Sequence, residues 1–314
     1  MIVYRKQDHE LSDNIIRRNE GEVKLIKEFN DLKYVALSNG FRTTTNFSKY
    51  ENVYNFPSEL SVNCMLLNEY ESNPIVGTNN GIYQYSNSNW KRLDEENKLS
   101  DVTSILRINN YDLIGTKLGT YIGNLSNDIL NYEGYYGTGT VNDIAIRKVN
   151  EKNISEINKN IILACDNGLY HSDIQLKVNE FHQFKELFGQ KVNSTVKFYG
   201  VRYFGTNQGL YKLVDEKIKP VEAITGNVRF LRVIEDYLVV CAGWSVWIIS
   251  NDGDIFEKLS GEHTEFISYA TFKNYNFAAS KDKIFVNIKD KDKWEELDIS
   301  DKISNSEIVD IGTM

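Results

Sequence analysis

The 314-residue sequence predicts an all-β fold, a β-propeller. Three observations carry that expectation: one hairpin-forming phrase recurs, its copies are evenly spaced, and strand-like runs flank each copy. The phrase reads IVGTNNGIYQY from Ile75, LIGTKLGTYIG from Leu113, LACDNGLYHS from Leu163 and YFGTNQGLYKL from Tyr203, with looser copies from Val35, Val239 and Phe277. Each copy is a short apolar run, a small pair such as Gly-Thr or Ala-Ser, a turn usually ending in Gly, and a second run that opens on an aliphatic and an aromatic residue. Two β-prone runs joined by a tight Gly or Asn turn make a hairpin. The small pair is expected near the narrow centre of a radial array of sheets, where neighbouring backbones approach closely.

Before the hairpin lies an alternating segment, as at 102–108 (VTSILRI), 141–146 (VNDIAI), 227–234 (NVRFLRVI) and 266–272 (FISYATF). After it comes a short run often headed by an aromatic, as at 90–93 (WKRL) and 294–297 (WEEL). Four strands A to D in meander order make one propeller blade. The small residues fall near positions 37, 77, 115, 164, 205, 242 and 279, a spacing of about 40 that matches a blade of four short strands. Seven blades follow. From the last marker round through the termini to the first is 72 residues, close to two intervals, so the sequence favours an eighth blade closed by both ends. Its A strand is expected at 307–311, its C strand at 2–6 and its D strand at 14–17, with seven blades as the alternative. The whole chain, 1–314, reads as a single propeller domain.

The phrases GTNNGIY, GTKLGTY and GTNQGLY resemble the GTxxGLY phrase of the two-component-regulator type of β-propeller, and the likeness extends over most of the chain. The resemblance implies the propeller fold and, for function, ligand sensing. Two features usual in that family are not found within these 314 residues: a Trp shortly before the Gly-Thr pair, and a membrane-anchored kinase.

Composition narrows the function classes. Asp plus Glu number 44 against 36 Lys plus Arg, a formal charge of -8, which argues against nucleic acid as the main partner. No run approaches the eighteen or so apolar residues of a membrane span, and residues 1–10 (MIVYRKQDHE) lack the apolar stretch of a secretory signal. The expectation is a soluble chain made in the cytoplasm without export and not inserted in a membrane. Cys64, Cys165 and Cys241 sit in apolar runs at no metal-ligand spacing and are expected as small core hydrophobes. Abundant Asn, Lys, Ile and Tyr with only three prolines point to an AT-rich genome.

Candidate chemistry is sparse. His9, His171, His182 and His263 have no metal or catalytic spacing, and His171 and His182 are placed on different strands. The stretch 251–254 (NDGD) lacks the alternating carboxylates of a calcium loop and reads as a hairpin turn. GYYGTG lacks the helix that a phosphate loop needs, and 289–293 (KDKDK) reads as a solvated turn. No catalytic residue, metal ligand or cofactor is assigned.

Connections in a propeller alternate between faces, with the B to C turns and D to A connections on one and the A to B and C to D turns on the other. On the first lies the connection 132–139 (YEGYYGTG), whose Tyr132, Tyr135 and Tyr136 form a candidate partner-binding patch. The competing reading packs these tyrosines on the neighbouring blade. On the second lie the polar insertion 150–160 and the stretch 173–179. The leading function is a non-catalytic interaction or scaffold protein whose partners are other subunits of an assembly, with a phage-tail-like or virion-like particle as the context. Its 23 Tyr and Trp suit interfaces. A propeller sensing a small molecule or glycan, and a propeller lyase or glycosidase, are the alternatives.

Overall fold

The computed structural model describes residues 3–5, 10–12, 23–29, 32–37, 40–44, 51–52, 56–57, 59–68, 71–86, 89–94, 98–108, 111–126, 129–146, 161–172, 181–261, 263–272, 274–289, 291 and 293–297. Among them, strands form seven four-stranded antiparallel sheets, each a meander in chain order, and one two-stranded hairpin. These are the blades, numbered here from the first four-stranded sheet. Their A strands are Val23–Phe29, Val62–Asn68, Val102–Ile108, Val141–Ile146, Val192–Phe198, Val228–Ile234 and Ser268–Phe272. Each recurring phrase is the B to C hairpin, as in Glu71–Thr78 with Gly81–Ser86 and Val201–Thr206 with Gly209–Val214.

At the N-terminal end Val3–Arg5 pairs with Glu10–Ser12. The expected C strand at 2–6 is therefore present. It pairs with Glu10–Ser12, and the expected D strand at 14–17 lies outside the described residues. The expected strand at 307–311 and the loops 150–160 and 173–179 lie outside the described residues.

The described backbone divides into two compact units, 16–192 and 193–314 with 1–15. Within each, apolar side chains fill the space between consecutive sheets. In the first unit Ile75 and Ile82 of blade 2 pack on Val102, Ile114 and Leu130 of blade 3. In the second, Phe198 and Leu210 of blade 5 pack on Val228, Leu238 and Val240 of blade 6. The aromatic heading a D strand reaches back to the preceding blade. Trp90 packs edge-on against Phe41 at 5.1 Å, and the Trp294 indole N–H donates to the Lys258 carbonyl at 3.0 Å.

The Gly-Thr pair has two separable reasons. A Cβ on Gly77 would lie 2.4 Å from Val102 Cγ1, one on Gly115 would lie 2.8 Å from Val141 Cγ1, and one on Gly205 would lie 2.7 Å from Val228 Cγ1. The glycine thus makes room for the valine that opens the next blade, a side chain and not the backbone expected from sequence. The threonine ties the turn. Thr206 Oγ1 donates to the Gly209 carbonyl at 2.8 Å and accepts from the Gln208 and Gly209 N–H groups at 3.1 Å, and Thr78 and Thr116 repeat the arrangement. In blade 7 Ser280 takes this place, accepting from the Lys283 N–H at 3.0 Å.

A second periodic device follows that valine. The next residue is the extra one of a β-bulge at Thr103 and Asn142. Its side chain donates to the carbonyl of a later such valine: Thr103 to Val141, Asn142 to Val192 and, in the second unit, Asn193 to Val228. The bulge turns a polar side chain along the sheet-to-sheet direction, where a regular strand would point it elsewhere. Cys165 and Cys241 are buried, as small hydrophobes should be, and Cys64 is half-buried.

Candidate functional site

The segment expected as a loop around the tyrosines is strand. Ile129–Tyr136 is the D strand at the edge of blade 3, and only 137–140 connect it to blade 4. The correction has a local cause. Ile122 pairs with Gly134 and Gly123 with Tyr132, so Glu133 is the extra residue of a bulge. The bulge changes the face that follows: Tyr132 and Tyr135 both fall on the side of Tyr121, while Tyr136 falls on the other.

The three tyrosines are therefore not one patch. Tyr121 lies between Tyr135, at 4.7 Å between ring centroids, and Tyr132, at 5.8 Å. Tyr132 packs on the blade 2 to blade 3 core and carries the Lys98 ammonium 5.0 Å above its ring. Tyr136 packs edge-on against Phe181 of blade 4 at 4.8 Å. Burial pushes the Tyr136 phenol above the usual tyrosine range, and burial with Tyr135 alongside does the same for Tyr121. Tyr135 alone is exposed, at 50%, its hydroxyl donating to the Leu118 carbonyl at 3.0 Å.

That bond joins the D strand to the blade 3 B to C turn, whose Leu118 is 63% exposed. The same side of this unit carries Phe188, 74% exposed, in the connection after blade 4. Backbone bonds between turns and connections establish that they share a side: Asn79 N–H to the Ser61 carbonyl, Lys117 to Asp101, Asp166 to Thr140 and Gly189 to Asn167. Exposed ion pairs flank the apolar residues, Lys117 with Asp101 at 2.8 Å and Lys191 with Asp166 at 2.9 Å. Partial burial raises the Asp166 carboxyl, and hydrogen bonds from Asn142 and Lys191 outweigh it, leaving the group below the usual carboxylate range. Exposed apolar side chains alongside charged pairs are the ingredients of a protein interface.

Sequence reasoning missed Leu118 and Phe188. Leu118 had a signal: it occupies a turn position filled by Asn80 and Gln208 in sister phrases. Phe188 had none. Phe184, four residues earlier, is buried at 7%, and only the single 3-10 turn Lys185–Leu187 decides which phenylalanine points out.

The most buried carboxylates serve the sheets. Asp94 accepts two hydrogen bonds from Arg92, at 2.8 and 3.0 Å, and one from the Leu99 N–H at 3.2 Å. Asp112 accepts two from Arg107, at 2.7 and 3.1 Å. Among the described residues no group of three or more His, Cys, Asp or Glu is placed to hold a metal ion, and no helix is long and apolar enough to cross a membrane. Two histidines that sequence separates are brought together: His171 and His182 face each other across strands C and D of blade 4.

The architecture defines the chain as a β-propeller, and solved propellers share it. The extracellular domain assigned to a hybrid two component system from B. thetaiotaomicron superposes with a TM-score of 0.59 at 13% identity, over 91% of this chain and 46% of that one. PorZ, a bacterial surface component of the type-IX secretion system of Porphyromonas gingivalis, gives 0.58 at 11%, over 88% and 38%. The C-terminal WD40 domain of Sif2 gives 0.59 at 10%, over 85% of each chain. The chain thus spans under half the length of the first two. At these identities the likeness concerns the fold. No family model matches the sequence, and no curated protein matches it. The two-component-regulator likeness of the GTxxGLY phrase agrees with the first of these neighbours.

Proposed function

We propose that this propeller is a non-catalytic interaction module, a subunit that docks other proteins of a larger assembly. The observation that carries this reading is that Leu118, Tyr135 and Phe188 are exposed on one side of this unit, on hydrogen-bonded turns and connections that also carry the Lys117–Asp101 and Lys191–Asp166 pairs. Tyr and Phe offer large contact area for little lost side-chain entropy. Rigid turns reduce what must be ordered on binding. Of the three tyrosines first singled out, Tyr135 is the contact residue; it rests on Tyr121, while Tyr132 and Tyr136 pack against the sheets on either side. In an assembly such as a phage-tail-like particle, whether in the cytoplasm or in the finished particle, a repeated subunit needs this kind of fixed docking surface.

The test compares the parent with a Leu118→Asn, Tyr135→Ser, Phe188→Ser variant in pull-down and co-sedimentation with proteins encoded beside it. The expected result is partner capture by the parent and its loss in a variant of unchanged thermal stability. A monomeric parent that captures nothing, or a variant that captures as well as the parent, would refute the reading.

A further inference from the structure

We infer that His171 and His182 form a two-histidine site for a divalent transition-metal ion on the outer hairpin of blade 4. The residues stand eleven apart in the sequence, and the pairing of Gly168–Ser172 with Phe181–Gln183 sets them directly opposite one another. Directly opposed residues of an antiparallel pair project from the same face of the sheet. Their ring centroids are 5.8 Å apart with planes inclined at 48°. Two neutral imidazoles sharing one tetrahedral ion, each nitrogen about 2.0–2.1 Å from it, have centroids roughly 5 Å apart. The observed spacing is within about an ångström of that separation.

The surroundings suit such a site. The ring of Phe184, a buried residue, lies 4.5 Å from that of His171 and backs one flank of it. His182 is exposed, so an ion reaches the pair from solvent. Neutral imidazole selects Zn, Cu and Ni over the hard cations, which prefer oxygen. Among the described residues no third His, Cys, Asp or Glu joins the pair. The ion bound by the two imidazoles is an exchangeable clip between strands C and D. By binding the paired hairpin in preference to the open one, it stabilises the edge of the blade.

The experiment titrates the full-length protein, stripped with a chelator, with CuCl2, ZnCl2 and CaCl2 at neutral pH by calorimetry. Electron paramagnetic resonance then counts the nitrogens bound to Cu(II). The expected result is one Cu or Zn ion per chain, Cu held more tightly as the stability order requires, no heat with calcium, and a signal from two imidazole nitrogens. His182→Asn and His171→Asn each weaken Cu(II) binding at least about tenfold, whereas His263→Asn leaves it unchanged. His182 is exposed, so H182N keeps the parent melting temperature, and lost binding in it reports a lost ligand. No binding at submillimolar Cu(II), a nitrogen count other than two, or parent-like affinity in H182N overturns the inference.

Discussion

Replacing Gly205 with alanine isolates the contact on which the blade repeat rests. The new Cβ would sit 2.7 Å from Val228 Cγ1, with Ser194 Oγ at 3.0 Å and Val228 Cβ at 3.1 Å. Carbon atoms in contact prefer about 3.5–4.0 Å, so the valine must retreat by nearly an ångström. It has little room to do so: Val228 is fully buried within the cluster that includes Leu210, Ile224 and Val240. Gly205 is not among the residues of positive φ, so no backbone strain enters and the penalty is steric. Overpacking of this kind costs about 1–3 kcal/mol, and the lower chain entropy of alanine in the unfolded state offsets about 0.4–1 kcal/mol of it. The net expectation is a destabilisation of about 1–2 kcal/mol, read as a lower urea midpoint at unchanged m-value. Val228→Ala alone is also destabilising, because it removes two buried methyl groups. If the clash is the cause, the double variant Gly205→Ala, Val228→Ala is more stable than the sum of the single effects predicts. A parent-like Gly205→Ala, or strict additivity in the double variant, refutes the account.

Four further outcomes are expected. Thr206→Val keeps the shape but deletes the hydroxyl that ties the turn, and its cost of about 1–3 kcal/mol in chemical denaturation should largely vanish in Thr206→Ser, which retains it. Tyr135→Ser leaves the urea midpoint near the parent because the side chain is half exposed, whereas Tyr136→Ser lowers the unfolding free energy by about 1–3 kcal/mol through the lost packing on Phe181, read as a lower urea midpoint. Burial pushes the Cys165 thiol from 9.0 up to about 12, so native protein at mildly alkaline pH should leave Cys165 unalkylated, while urea-unfolded protein exposes it to iodoacetamide, as peptide mass spectrometry can follow. The same shift has a signed consequence: between those two values the native state holds a proton that the unfolded state has lost, so stability is full below pH 9 and declines as pH rises toward 12, measurable as a falling denaturation midpoint.

The repeat could be read along the chain because hairpin formation is a local event. A small pair, a turn residue tolerant of its backbone angles and two β-prone runs lie within a dozen residues, and their spacing carries the blade count. What such reading misassigned depended on partners elsewhere. The one-residue bulge at Glu133 separates Tyr136 from Tyr132 and Tyr135, and nothing in YEGYYGTG marks which residue is the extra one. Likewise the reason for the glycines came from valines 23 to 26 residues further on, at Val102, Val141 and Val228.

The sequence by itself determined the recurring hairpins, their spacing and hence the propeller, since each of these follows from backbone preferences and alternation over short spans. Only the tertiary structure decided which aromatic side chains reach solvent, Tyr135 and Phe188 but not Tyr132 or Phe184, and that His171 meets His182. Exposure and side-chain encounters depend on strand register and on the adjoining sheet. A shift of one residue exchanges the two faces of a strand while leaving its composition and its β preference untouched.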